Sequence, residues 1–308
     1  MQTAENSAPK GAGNVPAADH ETDAGREGNL ARPLESGLYV VATPIGNLGD
    51  MVPRAVDVLR AVDVIAAEDT RHSAGLLRHF SIETPMMAYH EHSDEAAHAR
   101  IGKIITGGGA VALISDAGTP LISDPGFKLL RAAHAAGWRV VPVPGASAAI
   151  AALSVAGLPT DRFHFEGFLP AKAAARQARL EALAGEPHTL VFYEAPHRVL
   201  PTLEAMRDVF GEDRLGVLAR ELTKTFETVQ QLPLGELAAA VAADSNQSRG
   251  EIVLVVAGAA EVETPLSGDV LALLDALAEA VPPRKAAALV ASACGLRKKR
   301  LYDYLISR

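Results

Sequence analysis

The chain has 308 residues, 48% of them hydrophobic and 21% charged, with a single cysteine and a net charge of −8. That length is too great for one small core. One cysteine excludes both an intramolecular disulfide and a four-cysteine zinc cage within the chain, and the acidic balance gives no general attraction for nucleic acid. A globular cytoplasmic protein is the expectation.

Residues 1–36 are rich in alanine, glycine, proline and acids, with three basic against six acidic side chains and no apolar leader core. A disordered tail is expected there. From residue 37 short apolar runs alternate with helical patterns. LYVVAT (38–43) reads as a strand, and MVPRAVDVLRAV puts Val52, Val56 and Leu59 on one helical face. DVIAAEDT (63–70) is a strand ending in acids, SAGLLRHF a short helix, and residues 94–106 a helix closed by three glycines. AVALI (110–114) is a strand, followed by a turn-rich loop, a helix over 127–136, the strand RVVPVP and a helix over 147–156. These strands are apolar on both faces, which predicts a parallel sheet covered on both sides. The uncharged run 140–160 is long enough to span a membrane, but prolines and glycines near both ends leave too short a helix, so no membrane segment is expected.

A second series of strands and helices runs from about residue 161. Two adjacent strands, at 215–219 and 226–232, suggest some antiparallel pairing. Three helical patterns follow, over 269–280, 284–293 and 297–306, the last two separated by Gly295. Helix, glycine turn and basic helix make a helix-turn-helix-like pattern, for which Leu289, Val290, Leu296, Leu301, Tyr304 and Leu305 are the expected core. Residues 284–308 carry seven lysines and arginines against Asp303 alone. A basic start opposes the helix dipole, so backbone contact with nucleic acid is one reading of the RKKR run and a solvated basic face the other. The expected division is a tail over 1–36, α/β domains over 37–158 and 159–261, and a helical domain over 262–308.

Four stretches place turn-forming residues just past a strand: TPIGNLGD (43–50), EDTRHS (68–73), SDAGTPLISDPG (115–126) and PGASA (144–148). Strand ends of open α/β sheets form the ligand crevice, so four such loops predict a binding groove; ordinary turn chemistry is the alternative. No phosphate-binding glycine motif fits. His90-Glu91-His92 lacks a third metal ligand, and no metal is expected. Arg198, Arg220, Glu221 and Lys224 also fall at strand ends, as cleft groups or as surface ion pairs. Ser123 or Asp124 is available to cap the helix at Phe127.

In order, YVVATPIGNLGDMVPRAVDVL, AAEDTRHSAGLL, YHEHS, ALISDAGTPLISDPG, VPVPGASAAIAAL, FHFEGFLP, FYEAPHRV, ARELTKTFET and GEIVLVVAG resemble the small-subunit ribosomal RNA methyltransferase I family of the tetrapyrrole methylase superfamily. The resemblance covers residues 37–258, with the terminal helices similar to that family's extra domain. It implies an α/β, two-domain tetrapyrrole methylase fold with the cofactor in the interdomain cleft. It also implies a homodimer, S-adenosyl-L-methionine as methyl donor, and the ribose 2′-hydroxyl of a cytidine in the decoding region of 16S rRNA, in the small ribosomal subunit, as acceptor. Carried over by motif position, the cofactor residues are Thr43, Pro44, Ile45, Gly46, Asp116, Gly118, Thr119, Ile122, Ser123, Ser147, Ala148, Glu194, Ala195, Ala219, Arg220, Gly250, Glu251 and Ile252. Porphyrin-methylating relatives read Gly-Asp-Pro where this chain reads Gly118-Thr119-Pro120, so the loop offers a hydroxyl and no charge there. Candidates for binding or activating the ribose are Glu68, Asp69, Arg71, His90, Glu91, Arg198, Glu221 and Lys224, with Glu91 or Asp69 as the expected proton acceptor. The rival readings are a sister enzyme methylating a tetrapyrrole carbon and a nucleic-acid-binding regulator that uses the basic tail as its reader.

Overall fold

The computed structural model describes residues 34–90, 95–260 and 266–307. One compact unit ends at Ala257 and a second spans Gly258–Arg308.

The first unit contains two sheets. The first has the order β3-β2-β4-β1-β5, all parallel, from β1 (Gly37–Val41), β2 (Val64–Ala67), β3 (Met86–Ala88), β4 (Ala110–Ile114) and β5 (Val140–Val143). Side chains alternate between its faces, as extended strands require. Tyr39, Val41, Ile65, Ala112 and Ile114 pack with Val56 and Leu59 of α1 (Pro53–Ala61) and Leu77 of α2 (Thr70–His79). Leu38, Val64, Val111 and Leu113 face the other way, against Ile101 and Ile105 of α3 (Glu95–Thr106) and Leu129 and Ala133 of α4 (Phe127–Ala135). Pro142 is tolerated because β5 is an edge strand. The short strand β3 was not expected: three residues behind Pro85 carry no periodicity, and pairing with β2 alone makes them extended.

The second sheet has the order β6-β7-β10-β8-β9, from β6 (Phe163–Phe168), β7 (Thr189–Glu194), β8 (Leu215–Arg220), β9 (Thr228–Pro233) and β10 (Ile252–Val256). Only β6 and β7 run parallel; β10 is antiparallel to both β7 and β8, and β8 to β9. Antiparallel pairing, expected for one pair, dominates. One face carries α6 (Ala173–Leu183), α7 (Val199–Phe210) and α8 (Leu234–Ala243), packed around Leu190, Phe192, Leu218 and Leu254. The opposite face, with Val191, Val217, Val253 and Val255, is covered by Ala149, Ala152 and Leu153 of α5 (Ala148–Val155). Thus the helix that follows the last strand of the first sheet packs on the second sheet and joins the two.

The C-terminal unit consists of α9 (Gly268–Ala280), α10 (Pro283–Cys294) and α11 (Lys298–Ile306) around Leu274, Ala286, Ala287, Val290 and Leu301. Leu289 was expected in this core but is 46% exposed, because α10 turns its small-residue stripe inward and Leu289 falls beside it. Arg297 precedes the first turn of α11, and Lys298 and Lys299 are exposed. Gly295 ends α10 at φ 67, in the left-handed region. A side chain at such a position costs about 1–2 kcal/mol, so Gly295→Ala should destabilise the helical unit by that amount. Amide hydrogen exchange over α10 and α11 should speed up correspondingly while exchange in the two sheets stays unchanged.

Candidate active site

Parallel strands deliver the loops after β1, β2, β4 and β5 to one edge of the first sheet. These loops are bonded to one another. Thr43 and Gly118 exchange two backbone hydrogen bonds, 2.9 and 3.1 Å long. The Thr119 hydroxyl donates to the Ala146 carbonyl at 3.0 Å. The Asp69 amide donates to Asp116 Oδ1 at 3.1 Å, and the Asp116 amide approaches Glu68 Oε2 at 3.4 Å.

The β4 loop holds an unusual backbone. Leu121 and Ser123 adopt φ of 74 and 68, flanked by Gly118 and Gly126, also at positive φ. Non-glycine residues in such conformations cost of order 1–3 kcal/mol and cluster where surrounding structure holds a site in place. Gly126 itself is the N-cap of α4, and no side chain caps it. The expected cap by Ser123 or Asp124 is therefore wrong: the chain turns at Gly126, and both side chains line a cavity instead.

That cavity has a volume of about 400 Å³. From the loops of the first sheet it is lined by Ile45, Asp116, Gly118, Thr119, Ile122, Ser123, Ser147 and Ala148. From the second sheet come Glu194, Ala195, Ala219, Gly250, Glu251 and Ile252. Those residues were expected together, and they are together. Thr43, Pro44 and Gly46 instead line an adjoining cavity of about 300 Å³. Arg220 lines neither: it is buried, and its guanidinium donates to Phe226 O and Thr228 Oγ1 at 3.0 and 3.1 Å. Sequence reasoning missed Tyr193, Phe168 and Leu222, which line the first cavity, and His72, which lines the second. Tyr193 directly precedes Glu194 at a strand end, the one signal that pointed to it. Asp124, expected only as a possible cap, lines the first cavity as well.

The candidates for acting on the ribose scatter. Glu68 lines the first cavity and Lys224 the second. Asp69 caps α2, accepting from the Arg71 amide at 2.8 Å, and Arg71 also grips its carboxylate through Nε and Nη2. Hydrogen bonding from Arg71 pulls the Asp69 carboxyl down to about 2, which makes it a poor proton acceptor. This pair lines neither cavity, nor does His90; Glu91 lies outside the described residues, with His92 and Ser93. Arg198 turns inward to donate to Leu169 O at 2.7 Å and to pair with Glu194 at 3.2 Å. Glu221 accepts from Lys224 Nζ at 2.8 Å and from the Glu251 amide at 2.9 Å. Its own burial pushes its carboxyl up, but those two bonds outweigh it and hold the carboxyl low.

Five carboxylates line the first cavity; Glu194 and Glu251 are paired with Arg198 and Lys224, whereas Glu68, Asp116 and Asp124 stand together on the loops after β2 and β4. Burial raises the Glu68 carboxyl. Burial pushes Asp124 up to about 6; the Ser115 hydroxyl opposes the shift, and the charges of Glu68 and Asp116 reinforce it. A carboxyl that holds its proton more tightly folded than unfolded, where it ionises near about 3.9, makes the fold less stable as pH rises through that interval. Asp124→Asn should therefore raise the urea midpoint at pH 7.5 and leave it nearly unchanged at pH 4. Equal effects at both pH values would contradict the assigned protonation.

The Tetrapyrrole (Corrin/Porphyrin) Methylases family matches residues 37–238, and the RsmI C-terminal HTH domain matches residues 264–308. The uroporphyrin-III-C-methyltransferase of Thermus thermophilus shares this fold at a TM-score of 0.52 and 22% identity, over 72% of this chain and 94% of that one. Ribosomal RNA small subunit methyltransferase I of Pseudomonas aeruginosa is 60% identical over 88% of this chain and 97% of its own length. The protein of the same name from Escherichia coli O157:H7 is 51% identical over 88% of this chain and 95% of its own. With a tetrapyrrole methylase body, a matching C-terminal helical domain and such identity along nearly the whole of these relatives, the chain belongs to the ribosomal RNA small subunit methyltransferase I family.

Proposed function

We propose that the chain methylates the ribose 2′-hydroxyl of a cytidine in the decoding region of 16S rRNA, using S-adenosyl-L-methionine bound in the 400 Å³ cavity. The observation that carries this reading is the pairing of apolar walls with carboxylates in that cavity. Ile45, Ile122, Ala148 and Leu222 offer apolar surface, Ser147 and Thr119 offer hydroxyls, and Glu68, Asp116 and Asp124 create a negative field. Gly118 keeps the loop backbone accessible, since a Cβ there would lie 3.2 Å from the Ile45 side chain. A ligand with an adenosine, an amino acid group and a positive charge matches that donor set. When bound, S-adenosylmethionine supplies a methyl group on a positively charged sulfonium.

The chain's own residues have two remaining tasks: to hold the hydroxyl in line and to accept its proton. Glu68 and Asp124 suit the second, because their carboxyls bind protons more tightly than ordinary ones. Asp69, gripped by Arg71, does not. The tetrapyrrole-carbon rival is disfavoured by the names of the relatives above, and the regulator by the cavity and its carboxylates.

The enzyme acts as a homodimer in the cytoplasm. α5 supports the dimer: Ser154 is its one polar residue, and Ile150 and Val155 are 54% and 51% exposed, as befits a helix covered by a second chain. The basic start of α11 contacts ribosomal RNA through its phosphates.

Incubation with labelled S-adenosylmethionine and small ribosomal subunits, followed by digestion to nucleosides, should give 2′-O-methylcytidine; label in any other nucleoside would overturn the reading. Glu68→Gln and Asp124→Asn should each lower transfer by about 10²-fold and weaken S-adenosylmethionine more than the uncharged S-adenosylhomocysteine, whereas Asp69→Asn should cost far less. Lys298→Glu with Lys299→Glu should weaken subunit binding and flatten its salt dependence by about one unit of slope for each phosphate no longer neutralised.

A further inference from the structure

The cavity of about 300 Å³ beside the cofactor cavity has a wall in common with it: Ile45, Asp116, Ala117 and Glu251 line both. The two cavities therefore adjoin, with these four residues at their common border. Besides Ser115 at the end of β4, the smaller cavity's remaining lining comes from three separate elements. The β1 loop gives Pro44 and Gly46, the first two turns of α2 give His72 and Leu76, and the segment after β8 gives Lys224.

We propose that this second cavity is the acceptor-nucleoside subsite, and that it takes a ribose and its pyrimidine base rather than a phosphate. The inference rests on the methyl-transfer reading above and assigns the place of the acceptor. His72 and Leu76 are four residues apart on one helix face, and an imidazole beside a leucine offers a flat surface on which a base can lie. Lys224 is the cation of this wall, and it stands 2.8 Å from Glu221 and 3.2 Å from Glu251. An ammonium flanked by two carboxylates attracts phosphate weakly but still donates hydrogen bonds. Glu251 is largely open, its side chain 69% exposed. A carboxylate accepts from the amino group of cytosine and an ammonium donates to its carbonyl, so the pair suits that base. Gly46 holds the arrangement: a Cβ there would fall 2.5 Å from Lys224 Cγ, so any side chain would push the lysine stem out of the wall.

The test uses the full chain with Leu76→Trp, which fills the second cavity, and His72→Ala, an exposed position whose loss does not threaten folding. S-adenosylhomocysteine affinity is measured by calorimetry, and methyl transfer is measured at varied concentrations of small ribosomal subunits. Leu76→Trp should bind S-adenosylhomocysteine within about twofold of wild type and lose at least about tenfold in kcat/KM. His72→Ala should raise KM for subunits several-fold at unchanged cofactor affinity. Wild-type transfer by both variants would overturn the subsite, as would a loss of cofactor affinity equal to the loss of transfer. Should Leu76→Trp prove misfolded by circular dichroism, His72→Ala decides alone. A wild-type chain that binds S-adenosylhomocysteine but never methylates cytidine would overturn the parent reading and the subsite with it. A wild-type chain that methylates cytidine, with both variants matching it, sinks the subsite only.

Discussion

Two backbone hydrogen bonds between Thr43 and Gly118 hold the geometry of this site together. Below them β1 and β4 run parallel, in register from Gly37 opposite Ala110. At the sheet edge both chains leave the ladder and meet again as an antiparallel bridge. Thr119 then ties the same loop to Ala146, and Asp116 ties it to the end of β2. The β4 loop is thus the hub of the rim, bonded to the loops after β1, β2 and β5. A ligand entering it orders little that was free before, which spares the entropy that binding to loose loops costs. The left-handed residues Leu121 and Ser123 fit the same account, since strained backbone persists only where the surroundings determine it.

The second sheet closes the site by different means. α5 runs from the PGASA loop directly onto the face made by Val191, Val217, Val253 and Val255, so the element that lines the cavity at Ser147 and Ala148 also fixes the second sheet beside it. Charged residues near the ends of β7 and β8 then serve as struts. Arg198 clamps the turn after β6, Arg220 the start of β9, and Glu221 sits against Gly250, where a Cβ would come within 2.3 Å of its carboxyl carbon. Burying a charge is tolerated only when it is paired or hydrogen-bonded, and these side chains meet that condition with backbone groups and with Glu194, Thr228 and Lys224.

Those struts mark the limit of what the amino-acid pattern made legible. Apolar runs such as AVALI and periodic faces such as Val56 with Leu59 foretold the longer elements of the first sheet, and turn-rich strand ends foretold its cavity loops, whereas the lining from the second sheet followed only from the family resemblance. Short pieces without periodicity did not show: β3 has only three residues. Strand direction in the second half was poorly readable, because β10 is apolar at every position and such a run fits parallel and antiparallel neighbours alike. Residue type also failed to distinguish a cleft charge from a strut. Arg198 and Lys224 look alike as basic residues after a strand, and only the direction of each side chain separates them. His72 was passed over for the same reason: nothing in EDTRHS says which of its polar residues faces a cavity.

The carboxylates reveal a further constraint. Glu68, Asp116 and Asp124 face one cavity, and the raised Glu68 and Asp124 carboxyls record what that proximity and burial cost. A protein selected for stability alone would replace one of them with an amide. Like charges gathered at a cavity make sense when a cation is to be placed among them, because the repulsion present without ligand becomes attraction with it. By linkage, a positively charged ligand that binds only the folded state returns stability through its own binding free energy. The arrangement therefore favours a cationic cofactor over its neutral demethylated product, which the same carboxylates hold less tightly. Under the proposed function, this electrostatic discomfort is a bias: the carboxylates attract the charged donor and hold less tightly what remains once the charge has gone.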